Sequence, residues 1–409
     1  MRKILRLSYY PYHHDYQNHA NEFRPFVTSF GQANYNSGAL NTDQLGFRVQ
    51  FDKLGKVVNF YKIKNEASRC NLLIGGSTSF GVDCSSDKKT FANIITQSGT
   101  FLINWGFRGA VCQQELIAYL SQKHLLPNID NIIIFSGAND ASLVCLNGEF
   151  AYAEWGSVFS EDYFFRQYGS QYVKQTRGAA QIGKVISWIE KQFNLGGWRR
   201  CILNWLAGNQ ALLSHSSENV SLTESERLQV VIGHLKNTLE TWGWVAKSTG
   251  VKIHYVLQPV AGWSTKLLSD RERKLITSDI QAIPELDIFT SQCFYKQFKA
   301  ALSGAFTASE IEFHDANEWL SDSRYDGEDI FTDSCHLNDQ GNEIIAQLGK
   351  GSGKDYSSTI AVSYIVYLLL FCFSFCESTS TIQVLAAFLF ILLRAFKKLY
   401  CFNGLHFSF

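Results

Sequence analysis

No charge of one sign dominates this sequence: 37 Lys and Arg stand against 37 Asp and Glu in 409 residues. Without a global field, nothing draws the chain to nucleic acid or to an anionic membrane surface, so binding has to come from a local site. The ten cysteines (70, 84, 112, 145, 201, 293, 335, 372, 376 and 401) contain no CxxC pair and no dense, even spacing. A disulfide scaffold is thereby excluded, and the thiols are expected to be buried in a reducing compartment. The N-terminus, MRKILRLSYYPYHHDYQ, meets Tyr, Pro and His before an apolar run of signal-peptide length develops. Secretion is therefore not expected, and the sequon at Asn219-Val220-Ser221 reads as chance. His13, His14 and His19 form no recognised ligand spacing, so neither metal nor cofactor is expected.

What is present is length enough for a substantial core, read as one large domain with additions. Short, near-continuous apolar runs recur at 71–74, 101–104, 131–135, 251–257 and 310–313. Runs of that kind are typical of buried parallel strands. Segments of helical period lie between them, the clearest from residue 221 to 250. There Ser221 and Glu224 are read as a capping box, Leu228, Val231, Leu235, Leu239 and Trp242 as one face, and Gly250 as the stop. Alternating strand and helix predicts a three-layer α/β/α sandwich with a parallel sheet. Residues 1–65 read as an extension packed on the core, and 66–350 as the main domain. The aromatic-rich stretch at about 146–180 follows a strand end, where it reads as packed helices or as a lid or pocket wall.

The run NLLIGGSTSFGVD, Asn71 to Asp83, raises three readings: an anion loop, a plain turn, or a turn presenting a nucleophile. A P-loop needs Lys before Ser or Thr, and a dinucleotide fold needs G-x-G-x-x-G; neither is present. GKGSGK at 349–354 also misses the P-loop spacing and reads as a flexible linker. A nucleophile requires a base, an orienter for that base, and oxyanion donors. NWGFRGA places Gly109 after one strand, SGAND places Asn139 after the next, and TDSCHLNDQGN holds Asp333 and His336 three apart. Each piece alone is common, but four in this order are much harder to assemble by accident.

With these blocks the sequence resembles the GDSL/SGNH hydrolase superfamily, over roughly residues 70–345. HYVLQPV (254–260) and NTDQLGFR (41–48) are also similar to segments of that group. The first block departs from the family, with Gly75-Gly76-Ser77 in place of Gly-Asp-Ser, and Ser79 sets it apart from the G-x-S-x-G elbow. The resemblance implies Ser77 as nucleophile, His336 as general base and Asp333 as its orienter. It implies an oxyanion hole from the Ser77 and Gly109 backbone N–H groups and the Asn139 amide. It also implies hydrolysis of a carbohydrate or small-metabolite ester, with acetyl as the preferred acyl group. An O-acyltransferase using the same residues and a silent binding module on the same scaffold stay open.

Beyond the last block, Tyr356 to Cys376 holds 21 residues without a charge, about the length that crosses a bilayer. A second uncharged run, Ser378 to Leu393, follows Glu377. Lys350 and Lys354 precede the pair, and Arg394, Lys397 and Lys398 follow it. The positive-inside rule then predicts a hydrophobic hairpin within 351–409, anchoring a cytoplasmic catalytic domain to the membrane.

Overall fold

The computed structural model describes residues 2–24, 27–58, 70–147, 151–153, 156–157, 222–306 and 310–352. The chain divides into two compact units, Met1–Leu348 and Gly349–Phe409. The described residues belong almost wholly to the first.

All five expected strands form and pair in parallel. Numbering only the central sheet, they are β1 (Cys70–Gly75), β2 (Leu102–Gly106), β3 (Ile129–Ser136), β4 (Lys252–Leu257) and β5 (Ile311–Asp315). Their order across the sheet is β5-β4-β3-β1-β2. The near-continuous apolar runs have a physical reason, because β1 to β4 each face two cores, whereas the edge strand β5 faces only the first. Leu72, Ile74, Ile103, Trp105, Ile132, Ile134, Ile253 and Tyr255 enter one, and Leu73, Leu102, Phe135 and Val256 enter the other. A period of two sorts neighbouring apolar side chains onto opposite faces.

Helices cover both faces, as the sandwich requires. On the first lie α5 (Cys112–Gln122), α6 (Ala138–Asn147), α7 (Glu224–Thr249) and α10 (Gln292–Phe306), with α7 packed on the other three. The second core takes side chains from α4 (Phe91–Gln97), α8 (Asp270–Ala282), α11 (Ala316–Trp319) and α12 (Asp339–Ser352). Between them in sequence lie α3 (Ser77–Phe80) and α9 (Leu286–Thr290), and the chain begins with α1 (Arg2–Tyr9) and α2 (His13–Asn18).

In α7 the expected apolar face is correct, with Leu228, Val231, Leu235, Leu239 and Trp242 all buried. Each such side chain contributes about 1.5–3 kcal/mol of transfer free energy. Gly250 closes the helix at φ 71°, a left-handed C-terminal stop. The capping box, however, is Thr223 and Glu226 rather than Ser221 and Glu224. Glu224 is the first helical residue, so it cannot reach back as an N3 residue does, whereas Glu226 accepts the Thr223 N–H at 2.7 Å. α12 also corrects an expectation: it runs through Ser352, so the first four residues of the expected linker at 349–354 are helical.

Of the cysteines described, 70, 84, 112 and 145 are buried, but Cys293 is exposed and Cys335 half-buried. Among the described residues no helix is long and apolar enough to cross a membrane. The expected hairpin at 356–393 lies outside the described residues, as does most of the aromatic stretch at 146–180.

Candidate active site

The strand order reverses between β1 and β3: the chain steps out from β1 to β2, crosses back to β3, then continues to β4 and β5. At such a switch point the loops leaving neighbouring strands diverge and open a crevice at their C-terminal ends. Ser77 follows β1, Gly109 follows β2, Asn139 follows β3, and Asp333 and His336 follow β5 and α11.

Ser77 is the first residue of α3 and is half-buried. The glycines before it answer a need for space, since neither has a positive φ. A Cβ on Gly75 would stand 2.1 Å from Ser79 Oγ and 2.2 Å from the Phe135 carbonyl oxygen. One on Gly76 would stand 2.4 Å from Asn139 Nδ2. Real Cβ contacts are never so short, so the Asn139 amide occupies the place where a side chain at 76 would begin.

His336 and Asp333 sit in one turn. Asp333 Oδ1 accepts the backbone N–H groups of Cys335 at 2.9 Å and His336 at 2.8 Å. This Asx turn is what the three-residue spacing builds, because a short carboxylate can cap its own following backbone. Asp333 Oδ2 lies 2.7 Å from His336 Nδ1, and His336 Nε2 lies 2.7 Å from Ser77 Oγ. The bonding pattern assigns the ring proton to Nδ1 and leaves the Nε2 lone pair facing the hydroxyl. Thr78 fastens the two loops: its hydroxyl donates to the Cys335 carbonyl at 3.1 Å and accepts from Gln258 Nε2 at 3.1 Å. Gln258, at the end of HYVLQPV, also donates its N–H to the Ser136 carbonyl at 3.0 Å.

Gly109 is exposed and left-handed at φ 74°, a conformation that explains glycine there. Asn139 Nδ2 donates to the Ala110 carbonyl at 2.6 Å. One amide proton is thus committed to the Gly109–Ala110 loop, and an Asn amide has a second to offer. The five expected residues are therefore gathered around the same crevice.

Two further groups had no place in the sequence reading. Arg6, from α1, is buried; its guanidinium pairs with Asp333 Oδ2 at 2.6 Å, with Asp83 Oδ2, and with Thr332 Oγ1 at 3.2 Å. Asp83 is fully buried at φ 66°, accepting from Thr332 Oγ1 at 2.6 Å and lying 2.5 Å from His13 Nδ1. The second signal was in view, for Asp83 ends the opening motif itself, and Asp is among the few residues that enter the left-handed region. Arg6 had no local signal, because its partners are 77 and more residues away.

NTDQLGFR supports the same region. Arg48 Nε pairs with Asp87 at 2.5 Å, and the guanidinium donates to the carbonyls of Gly81 at 3.1 Å and Ala39 at 2.6 Å. The loop after Ser77 is thereby held to the N-terminal region, where Tyr16, Ala39 and Leu40 pack on Phe80 and Val82.

The electrostatics follow from these contacts. Burial works against the charge on Asp333, but Arg6 and His336 outweigh it and hold the carboxyl well below its usual range. Burial likewise opposes ionisation of Asp83, and Arg6 and His13 reverse the sign. Burial pushes the His336 ring down, while the Asp333 charge and hydrogen bond push it up and prevail. The result is a stable anion beside a ring of raised basicity.

Comparison with known proteins adds the following. A family described as the N-terminal P-loop domain of uncharacterized protein MJ0330 matches residues 327–383. Within that span Gly353-Lys354 is followed by Asp355, and Leu348 stands where a P-loop has its first glycine. No curated protein matches the chain. Similar solved structures include a lipase/acylhydrolase from Enterococcus faecalis, at 13% identity and a TM-score of 0.35, over 69% of this chain and 93% of that one. A GDSL-like lipase from Bacteroides thetaiotaomicron is 12% identical at a TM-score of 0.31, over 70% and 88%. An acetyl xylan esterase is 10% identical at a TM-score of 0.30, over 70% and 99%. At such TM-scores the chain's own geometry has to support the functional reading.

Proposed function

We propose that this chain is a serine ester hydrolase of the GDSL/SGNH type, working through an acyl-enzyme on Ser77. The observation that supports it is the unbroken relay Ser77 Oγ, His336 Nε2, His336 Nδ1, Asp333 Oδ2, with 2.7 Å at each link between residues. His336 Nε2 takes the hydroxyl proton as Ser77 Oγ attacks the acyl carbonyl, and Asp333 stabilises the imidazolium that forms. The oxyanion is received by the backbone N–H groups of Ser77 and Gly109 and the second Asn139 amide proton. Each such donor contributes about 3 kcal/mol in the transition state. His336 then protonates the leaving alkoxide, and a water deprotonated by the same ring releases the acid.

The preferred substrate is a carbohydrate or small-metabolite ester bearing an acetyl group, as the motif resemblance suggests. The experiment that tests the mechanism is labelling with a serine-reactive phosphonate followed by peptide mass spectrometry. The adduct is expected on Ser77, together with loss of aryl-acetate turnover in Ser77→Ala and His336→Ala. Adduct at another serine, or full turnover by purified Ser77→Ala, overturns the assignment. Supplying acceptor sugars and following free acid against acylated sugar separates hydrolysis from acyl transfer. The uncharged run at 356–376 supports a further proposal, that the catalytic unit is tethered to the cytoplasmic face of a membrane.

A further inference from the structure

At the far edge of the sheet, three side chains of metal-binding chemistry converge where no apolar packing asks for them. β5 is the edge strand, and its Glu312 is the register partner of His254 on β4. Partners in a parallel pair point to the same face, and so does His314, two residues beyond Glu312. His254 Nδ1 lies 3.2 Å from one Glu312 carboxylate oxygen, and His314 Nε2 lies 3.5 Å from the other. The two imidazole nitrogens are themselves 3.4 Å apart.

Those separations have a simple geometric meaning. A tetrahedral zinc ion with bonds of about 2.0–2.1 Å sets its donor atoms about 3.3–3.4 Å apart. The two imidazole nitrogens thus stand one tetrahedral edge apart, and the carboxylate reaches each of them through a different oxygen. His254 is 7% exposed, whereas the Glu312 side chain is 63% exposed, so the fourth position opens toward solvent. A cavity of about 610 Å³ adjoins it, lined by His254, Glu312 and a second carboxylate, Glu310. Lys247 and Lys252 line the same cavity and place positive charge nearby, which implies weaker binding than a closed thiolate site gives.

We propose that His254, Glu312 and His314 bind a zinc ion that joins edge strand β5 to β4. None of the three belongs to the Ser77 relay, and His254 pairs across β3 with Ile133, three residues before Ser136 where that strand ends. The ion is therefore a structural clasp on the strand that leads toward the Asp333–His336 turn. Among the described residues one other group has compatible spacing, Asp333, Cys335 and His336. There both imidazole nitrogens already face partners, and Arg6 pairs with the carboxylate.

The test uses full-length protein stripped with EDTA and titrated with zinc against a chromogenic chelator. One equivalent is expected to bind, with a rise in Tm. Removing a ligand is expected to weaken affinity by more than about tenfold, since even outer-shell changes cost ~10–100-fold. Glu312→Ala, at an exposed position, checks this with least risk to folding, and His314→Ala checks an imidazole. His336→Ala is expected to bind as wild type. No stoichiometric binding, or binding that survives both Glu312→Ala and His314→Ala, overturns the proposal. So does loss of binding in His336→Ala, or a thiolate charge-transfer band with cobalt that Cys335→Ser abolishes, which would move the metal to Cys335 and the Ser77 centre.

Discussion

Arg6→Met isolates the feature by which the N-terminal helix enters the active centre. The guanidinium is buried and serves two carboxylates, Asp83 and Asp333, as well as the Thr332 hydroxyl. Methionine keeps much of the volume and removes the charge, leaving two buried carboxylates that face the His13 and His336 rings without the guanidinium between them. Breaking a buried pair by deleting one partner costs about 3–5 kcal/mol, which for a unit of this size is a fall in Tm on the order of 10 °C. The sign of the pH dependence is fixed by the same contacts. Asp83 and Asp333 have depressed folded values, so the stability they confer is present above about pH 4 and is lost as pH falls toward those values. Arg6→Met forfeits part of that stability, and the gap from wild type should narrow in acid. Activity should move independently. Arg6 NH2 lies 3.5 Å from His336 Nδ1, and Arg6 NH1 shares Asp333 Oδ2 with that ring nitrogen, so losing the guanidinium charge favours the imidazolium and shifts the acidic limb of kcat/KM to higher pH. Urea unfolding from about pH 2 to 8 and pH–rate profiles on an aryl acetate check both arms. An Arg6→Met enzyme with wild-type Tm and an unmoved acidic limb would refute the reasoning.

Other consequences can be measured separately. Asn139→Ala should lower kcat by about a hundredfold or more with KM little changed, because the amide tightens on the oxyanion alone; a large fall in Tm with normal kcat in the folded fraction would make Asn139 a loop support instead. In wild type the acidic limb of kcat/KM should lie above the ordinary histidine value of about 6.5, as Asp333 raises the His336 ring and the base works only when neutral; a limb at or below that value counts against the assignment. Burial, reinforced by Asp140, raises Glu115 well above the carboxylate range, so its stability cost grows as pH rises above its unfolded value. Glu115→Gln should accordingly gain stability relative to wild type from about pH 5 to pH 8, read by urea unfolding. Full-length protein should need detergent for release from membranes, whereas a version ending at Lys350 should not; release by carbonate alone refutes the anchor.

The sheet was legible because each strand is a short apolar run with polar or small residues at its end, a signal needing no knowledge of partners. Strand order was not, since a run such as 71–74 says that it is buried on both faces but not which strands flank it. Two errors at helix ends have ordinary physical causes. Ser221 and Thr223 both precede an acidic residue by three, and only the backbone decides which one is the cap. Residues 349–352 read as a linker because glycine is a poor helix former, yet Ile345 and Ala346 bury that helix in the second core and extend it past its own propensity.

At the site, what the sequence showed were groups whose spacing is local. Asp333 and His336 are legible because one turn joins them, and Ser77 because two glycines precede it. The departure from Gly-Asp-Ser at position 76 becomes intelligible only with Asn139 in place. A side chain there would have to displace the amide, and the amide is fixed in turn by the Ala110 carbonyl. Gly76 and Asn139 thus constrain each other through the Ala110 carbonyl although the three residues follow three different strands, and nothing nearby in sequence shows it. Arg6 and Asp83 obey the same logic on the other side of His336. Their meaning lies in a buried charge balance that forms only when the first helix closes on the turn bearing Asp333. Residues that complete a site from a distance leave no periodic or motif signal, and contacts in the folded chain are where they can be found.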